Sequence, residues 1–175
     1  DPMTINLFKN ADTYGIFQFE SVGMRRLMKD LNPDNFEEIV ALVALFRPGP
    51  LQSNMHTDFI ERKFNPSKLT YIHPKLENVL EPTKGTIIYQ EQVMSIGRVL
   101  AGFTLGKADI LRKAMGKKDP VIMAEQRIQF LSGCADNFRQ ETLDTTGSKL
   151  KSTFNPEKTV PVDIIFEDVK YEPLL

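Results

Sequence analysis

Cysteine is nearly missing from this chain: Cys134 stands alone, so no internal disulfide can form, a usage that fits a reducing compartment. Histidine is almost as scarce. His56 and His73 lack metal-ligand spacing to each other or to Cys134, which argues against a zinc site. No apolar run reaches the ~18 residues that a membrane span needs. Nor do the first ten residues, with Asp1, Lys9 and Asn10 around a short apolar stretch, read as a signal peptide. The expected location is therefore cytoplasmic, with no membrane partner. Positive charge is not in excess either: Lys+Arg 22 stand against Asp+Glu 23, net -1. A nucleic-acid or nucleotide site must then come from local clustering. There is no glycine-rich phosphate loop of either common type, and no arguable Ser/His/Asp arrangement. Glu37-Glu38 and Glu167-Asp168 are adjacent carboxylates. Neighbours on a helix point about 100° apart, so Glu37 and Glu38 do not converge, and both pairs read as caps or solvated faces. Position 1 is Asp rather than Met, so the chain reads as a piece of something longer.

What is present is ordinary globular composition, 41% hydrophobic and 26% charged over 175 residues, enough for one domain or large subdomain. The pattern is mainly helical. Ser21 caps an apolar stripe through Leu31, and Asn32-Pro33 ends it. Asp34 with Glu37 forms a capping box for a buried helix through Phe46. Arg47-Pro48-Gly49-Pro50 breaks that helix, and another fits Leu51 to Phe64. Residues 65–85 read as a loop with one short helix near Leu76–Leu80. Helices then fit Gln90 to Ala101, Thr104 to about Gly116, and Asp119 to about Gly133, with Pro120 at the first position of the last. A short strand or extended entry segment is expected at 15–20, where Phe17 and Phe19 alternate with Gln18 and Glu20, and Thr86–Tyr89 is a candidate short strand. The character changes near 138: Gly147-Ser148 resembles a linker, and Val160 to Tyr171 is strand-like.

Three features could carry function. On the helix from Thr104, Leu105, Ala108, Leu111 and Met115 line one face, and Arg112 lies at its edge, its stem packed and its guanidinium at the rim. Lys113 and Lys117 share a different face, and with Lys118 they complete a cluster of four cations in seven residues. A plain structural account also exists: the macrodipole favours cations near a helix C-terminus by ~0.3–1 kcal/mol each, and Asp109 is well placed to pair with Lys113. That dipole means backbone amides there cannot hold an anion. Phosphate would have to be bound by side chains, with Arg112 a planar fork and Lys113 a point charge. The second feature is Arg47 on its proline-fixed corner. The third is the pair Gln90 and Gln92 at the start of a helix, able to hydrogen-bond a ligand. A structural helix–helix turn with Arg47 capping carbonyls is the favoured account of the second, and helix capping with a solvated start is the plain account of the third.

Four motifs in order, Phe17-Gln18-Phe19-Glu20-Ser21, Ala41 through Gln52, Tyr89 through Met94, and Ala108 through Lys118, resemble the alpha subunit of bacterial DNA polymerase III, a C-family replicative polymerase. The likeness covers roughly residues 3–137. It implies a segment leading from palm to fingers at 1–20, a helical fingers subdomain at 21–137 and a divergent tail at 138–175 without assignment. It implies DNA-directed DNA synthesis by nucleotidyl transfer, with dNTP and primer-template DNA as substrates and other holoenzyme subunits as partners. In that family a basic pair at the place of Arg112-Lys113 contacts the incoming triphosphate. Some members carry Arg-Arg, so Arg-Lys here keeps charge but loses one bidentate fork. Arg47, Gln90, Gln92 and Lys117 are weaker candidates for the same nucleotide site. Two Mg2+ ions would be held by palm aspartates that precede this chain, so the polypeptide alone is expected neither to bind them nor to polymerise. The competing readings are a non-catalytic nucleotide- or DNA-binding helical module and an error-prone paralogue of the same family.

Overall fold

A computed structural model describes residues 1–117 and 119–146, with side chains through Asn137. The chain is mainly helical, in the order α1 (Pro2–Lys9), α2 (Val22–Leu31), α3 (Phe36–Leu45), α4 (Pro48–Gln52), α5 (Met55–Phe64), α6 (Glu77–Leu80), α7 (Gln90–Ala101), α8 (Leu105–Lys117) and α9 (Pro120–Thr146). Short 3-10 turns lie at Pro66–Lys68, Pro74–Leu76 and Glu81–Thr83. Two compact units result, one of Asp1–Thr70 with Glu81–Ile88, the other of Tyr71–Leu80 with the chain from Tyr89 onward. Among the described residues no helix is long and apolar enough to cross a membrane.

The first unit is built on the stripes of α2 and α3. Met24, Leu27, Met28 and Leu31 meet Ile39, Leu42 and Leu45, with Phe8 from α1 and Phe59 from α5 closing the core. Each large apolar side chain so buried stabilises the fold by roughly 1.5–3 kcal/mol. Ser21 caps α2 as its sequence position suggests, accepting from Met24 N at 3.3 Å, and left-handed Asn32 ends the helix before Pro33. The capping box of α3 sits one residue later than expected. Asn35 is the cap, accepting from Glu38 N at 2.8 Å, while Glu38 reaches back to Asp34 N at 2.9 Å. The Asn35 amide and the Glu38 carboxylate thus satisfy the free donors of Glu38 N and Asp34 N.

Several expectations need correcting. Among the described residues there is no strand. At 15–20 the chain turns instead, with Ala11, Gly15 and Gln18 in the left-handed region, and Thr13 Oγ1 donating to Phe19 O at 2.6 Å. Phe19 packs edge-on to Phe8 with centroids 5.1 Å apart, while Phe17 is 82% exposed. The alternation of aromatic and polar residues there reflects a turn and not a pleat. Thr86 is tied back to Thr83 by two hydrogen bonds of 3.0 and 2.6 Å through a Lys84-Gly85 turn, so the stretch 86–89 has no ladder to join. Pro48 opens a short helix rather than only ending one, because a helix N1 position needs no N–H. The helix expected from Leu51 to Phe64 is divided at left-handed Asn54.

The second unit packs α7, α8 and α9 together. α9 continues through Gly133 to Thr146. Gly133 does not end the helix because it serves packing: a Cβ there would stand 2.3 Å from Ala101 O at the end of α7. Asn137 Nδ2, one turn on, donates to Leu100 O at 3.1 Å. The buried thiol of Cys134 on the same helix has its pKa pushed up to about 12 by burial, so it is a packing residue, not a nucleophile. The linker-like Gly147-Ser148 and the strand-like Val160 to Tyr171 lie outside the described residues, as does Lys118.

Candidate functional site

Thr104 starts α8, its Oγ1 accepting from Lys107 N at 3.3 Å. Ala108, Leu111 and Ala114 are its buried residues. At about 100° per residue, a face centred on Leu111 puts Leu105 about 120° away. Leu105 is accordingly exposed, against expectation, and Ala114 takes its place in the packed face. On the same wheel Arg112 lies about 100° from Leu111, Asp109 about 160° and Lys113 about 200°. Asp109 thus stands between the two cations and one turn before them.

Its carboxylate engages both. Arg112 donates from Nε at 2.9 Å and Nη2 at 2.8 Å to Oδ1, and Lys113 Nζ lies 2.7 Å from Oδ2. The Lys113 ammonium and then the Arg112 guanidinium, both hydrogen-bonded to it, hold the Asp109 carboxyl below its usual range. Arg112 is half-buried, with its side chain 35% exposed, whereas Lys113 is 60% exposed. Asp109 uses the side edge of the guanidinium, and the edge that includes Nη1 carries no bond to another described residue. Gly116 lies three residues past Lys113 and four past Arg112, where an added Cβ would meet nothing within 4 Å. Among the described residues no atom crowds that position between the cations on the C-terminal side.

Backbone donors nearby are committed. α8 presents carbonyls at this end, and the first amides of α9 are taken: Asp119 Oδ1 accepts from Val121 N at 3.0 Å and Ile122 N at 3.2 Å. An anion held here must be held by side chains. Lys117 is the exposed last residue of α8.

The remaining candidates fall elsewhere. Gln90 is the exposed first residue of α7. Gln92 is buried, its Oε1 accepting from Tyr89 N at 3.0 Å and its Nε2 donating to Val79 O at 3.2 Å, so it ties α7 to α6. Burial raises the pKa of the neighbouring Tyr89 phenol. Arg47 belongs to the first unit, exposed at the start of α4, its Nε 3.4 Å from Val43 O in the last turn of α3. Of the six candidates, the structure joins Arg112 and Lys113, and the joint is Asp109. The sequence shows the Asp109–Lys113 spacing, but the bridge to Arg112 needs rotamers as well as register. Among the described residues no group of three or more His, Cys, Asp or Glu could hold a metal, so they do not fit a two-metal centre.

Residues 1–138 match the family model of the bacterial DNA polymerase III alpha subunit finger domain. The chain belongs to this family. It is 56% identical over 142 residues to DNA polymerase III subunit alpha of Pseudomonas aeruginosa, an alignment covering 78% of this chain and 12% of that protein. The subunits of Haemophilus influenzae and Escherichia coli K12 are 54% and 51% identical over the same length, again 78% of this chain and 12% of each relative. The chain thus spans about an eighth of the relatives it matches. The α8 face with Arg112, Lys113 and Asp109 lies wholly within the finger-domain match, which stops at Phe138.

Proposed function

We propose that this chain is the nucleotide-facing fingers segment of the alpha subunit of a bacterial replicative DNA polymerase, with Arg112 and Lys113 holding the triphosphate of the incoming dNTP. One observation supports the reading: two cations, bridged by Asp109, share an exposed face of α8 inside the finger-domain match. Arg112 offers a planar fork to two phosphate oxygens. Lys113 adds a compact charge on a longer tether, so its hold is looser. Together they orient the triphosphate and offset its charge where reaction requires alignment. Lys117 extends the positive face, and Gln90 is an exposed polar group at the start of α7. Gln92 shapes the start of α7.

The rest of the reading follows from the family. Primer-template DNA and dNTP are the substrates, other replicative subunits are the partners, and the protein acts in the cytoplasm. Residues 1–20 would lead in from the palm, 21–137 form the fingers body, and 138–175 diverge. The described residues offer no carboxylate cluster for the two Mg2+ ions of polymerase chemistry, which are proposed to rest on palm residues outside this chain. Within the full-length subunit, Arg112→Ala should lower kcat/KM for dNTP by about 30-fold, the ~2 kcal/mol of a charge-assisted bond. Lys113→Ala should lower it by about fivefold, since an exposed ammonium contributes less. Steady-state kinetics with unchanged kcat/KM in both variants would overturn the proposal.

A further inference from the structure

Asp109 is the one anion on the α8 face, and it holds the donors that a phosphate would need. Its Oδ1, 2.9 Å from Nε and 2.8 Å from Nη2 of Arg112, sits where a phosphate oxygen could bond. Its Oδ2 stands 2.7 Å from Lys113 Nζ. Resting on the nucleotide reading above, we propose that Asp109 sets affinity: it is an internal competitor, so binding of a triphosphate exchanges one anion for another rather than filling idle cations.

Three observations carry this. The register places one carboxylate between both cations, so a single residue lowers the positive charge of the whole face. The pair is exposed by more than a third on the lysine side and about a third on the others, so its bonds are weakly held and can be exchanged. A triphosphate on Arg112 and Lys113 would also lie well within a Debye length of Asp109, about 8 Å at physiological salt, and the like charges repel. The carboxylate therefore cannot keep its full set of bonds in the loaded state. The open space at Gly116 gives the phosphate an approach that does not cross Asp109. The consequence is faster release, since affinity differences among variants of one site fall mostly on the off-rate. A surface ion pair that merely supports the helix would leave nucleotide binding unaffected.

The test is calorimetric titration of the full-length subunit with dATP and, separately, with inorganic triphosphate. Asp109→Asn keeps size and removes charge, and should bind both ligands about three- to tenfold more tightly. Asp109→Glu keeps the charge and should stay within about twofold of wild type. Adding Arg112→Ala and Lys113→Ala to Asp109→Asn should abolish the gain. Unchanged or weaker binding by Asp109→Asn, where wild type binds and the Arg112→Ala, Lys113→Ala variant does not, sinks this inference alone and leaves the nucleotide reading standing. Tightening by Asp109→Glu equal to that of Asp109→Asn also sinks it. If wild type binds neither ligand, the nucleotide reading fails and this inference fails with it. Circular dichroism melts of each variant confirm that folded chains are being compared.

Discussion

Lys63 gathers two helix ends onto one ammonium. Its Nζ donates to Leu31 O at 3.1 Å and Asn32 O at 2.7 Å, closing the C-terminus of α2, and to Glu38 Oε2 at 2.7 Å at the start of α3. Asp34 Oδ2 lies 2.9 Å away, and its Oδ1 accepts from Lys9 Nζ. Lys63 and Glu38 are each under a tenth exposed, so removing one leaves the other charged and buried. Lys63→Ala should cost about 3 kcal/mol in urea denaturation, the low end for breaking a buried pair, because Asp34 is exposed. A loss below about 1 kcal/mol would show that water replaces the ammonium. The same site predicts an acid dependence. Hydrogen bonds from Lys9 and then Lys63 lower the Asp34 pKa below its ordinary value. A depressed carboxyl pKa gives stability that is full above the unfolded value, ~3.9, and lost as pH falls through the folded value. Asp34→Asn should therefore be less stable than wild type at pH 6, with the gap closing below about pH 4 in melts taken down to pH 2. A gap that stays constant would exclude Asp34 as its source. Little of this was legible beforehand. The local box from Asp34 to Glu37 could be read as a pattern, but the partner that matters, Lys63, is 25 residues beyond Glu38 and carries no local signal.

Two glycines within helices show how an element combines local and distant demands. Gly133 in α9 faces Ala101 O, 2.3 Å from any added Cβ, whereas Gly116 in α8 faces open space. Their Ala variants should move in opposite directions. Gly133→Ala should destabilise by about 2 kcal/mol through overpacking of a carbonyl that cannot shift cheaply. Gly116→Ala should stabilise by roughly 0.5–1 kcal/mol, because alanine lowers the entropy cost of the helix. Thermal or urea unfolding checks both, and signs that agree would refute the packing account of α9. Both glycines read in sequence as stops, Gly116 nearly correctly, one residue short of the end of α8, and Gly133 wrongly. Local rules see that glycine breaks helices; they do not see the neighbouring backbone that requires one. The same limit explains the two missing strands. Residues 15–20 and 86–89 have strand-like composition, but a strand is defined by its partner, and each stretch folds back on its own turn.

At the scale of the molecule, the mainly helical class was legible because caps such as Ser21, Thr104 and Asp119 and the apolar stripes repeat helix by helix. The division into two units was not, because Tyr71–Leu80 and Glu81–Ile88 belong to opposite units although they are consecutive in sequence. Family membership was legible through motif order rather than charge, which is near zero overall. The candidate site was half legible. Arg112 and Lys113 stood out as a local cluster with Asp109 spaced to pair with Lys113, while the bridge from Asp109 to Arg112 emerged only with side-chain geometry. The central claim is that Arg112 meets the phosphates of a nucleotide. The direct measurement is nuclear magnetic resonance of the Arg112 Nε–H in the 15N-labelled chain, assigned by its loss in Arg112→Lys, during titration with dATP and with deoxyadenosine. The account predicts a saturable shift with dATP and none with the nucleoside. No shift, or equal shifts with both, would contradict it.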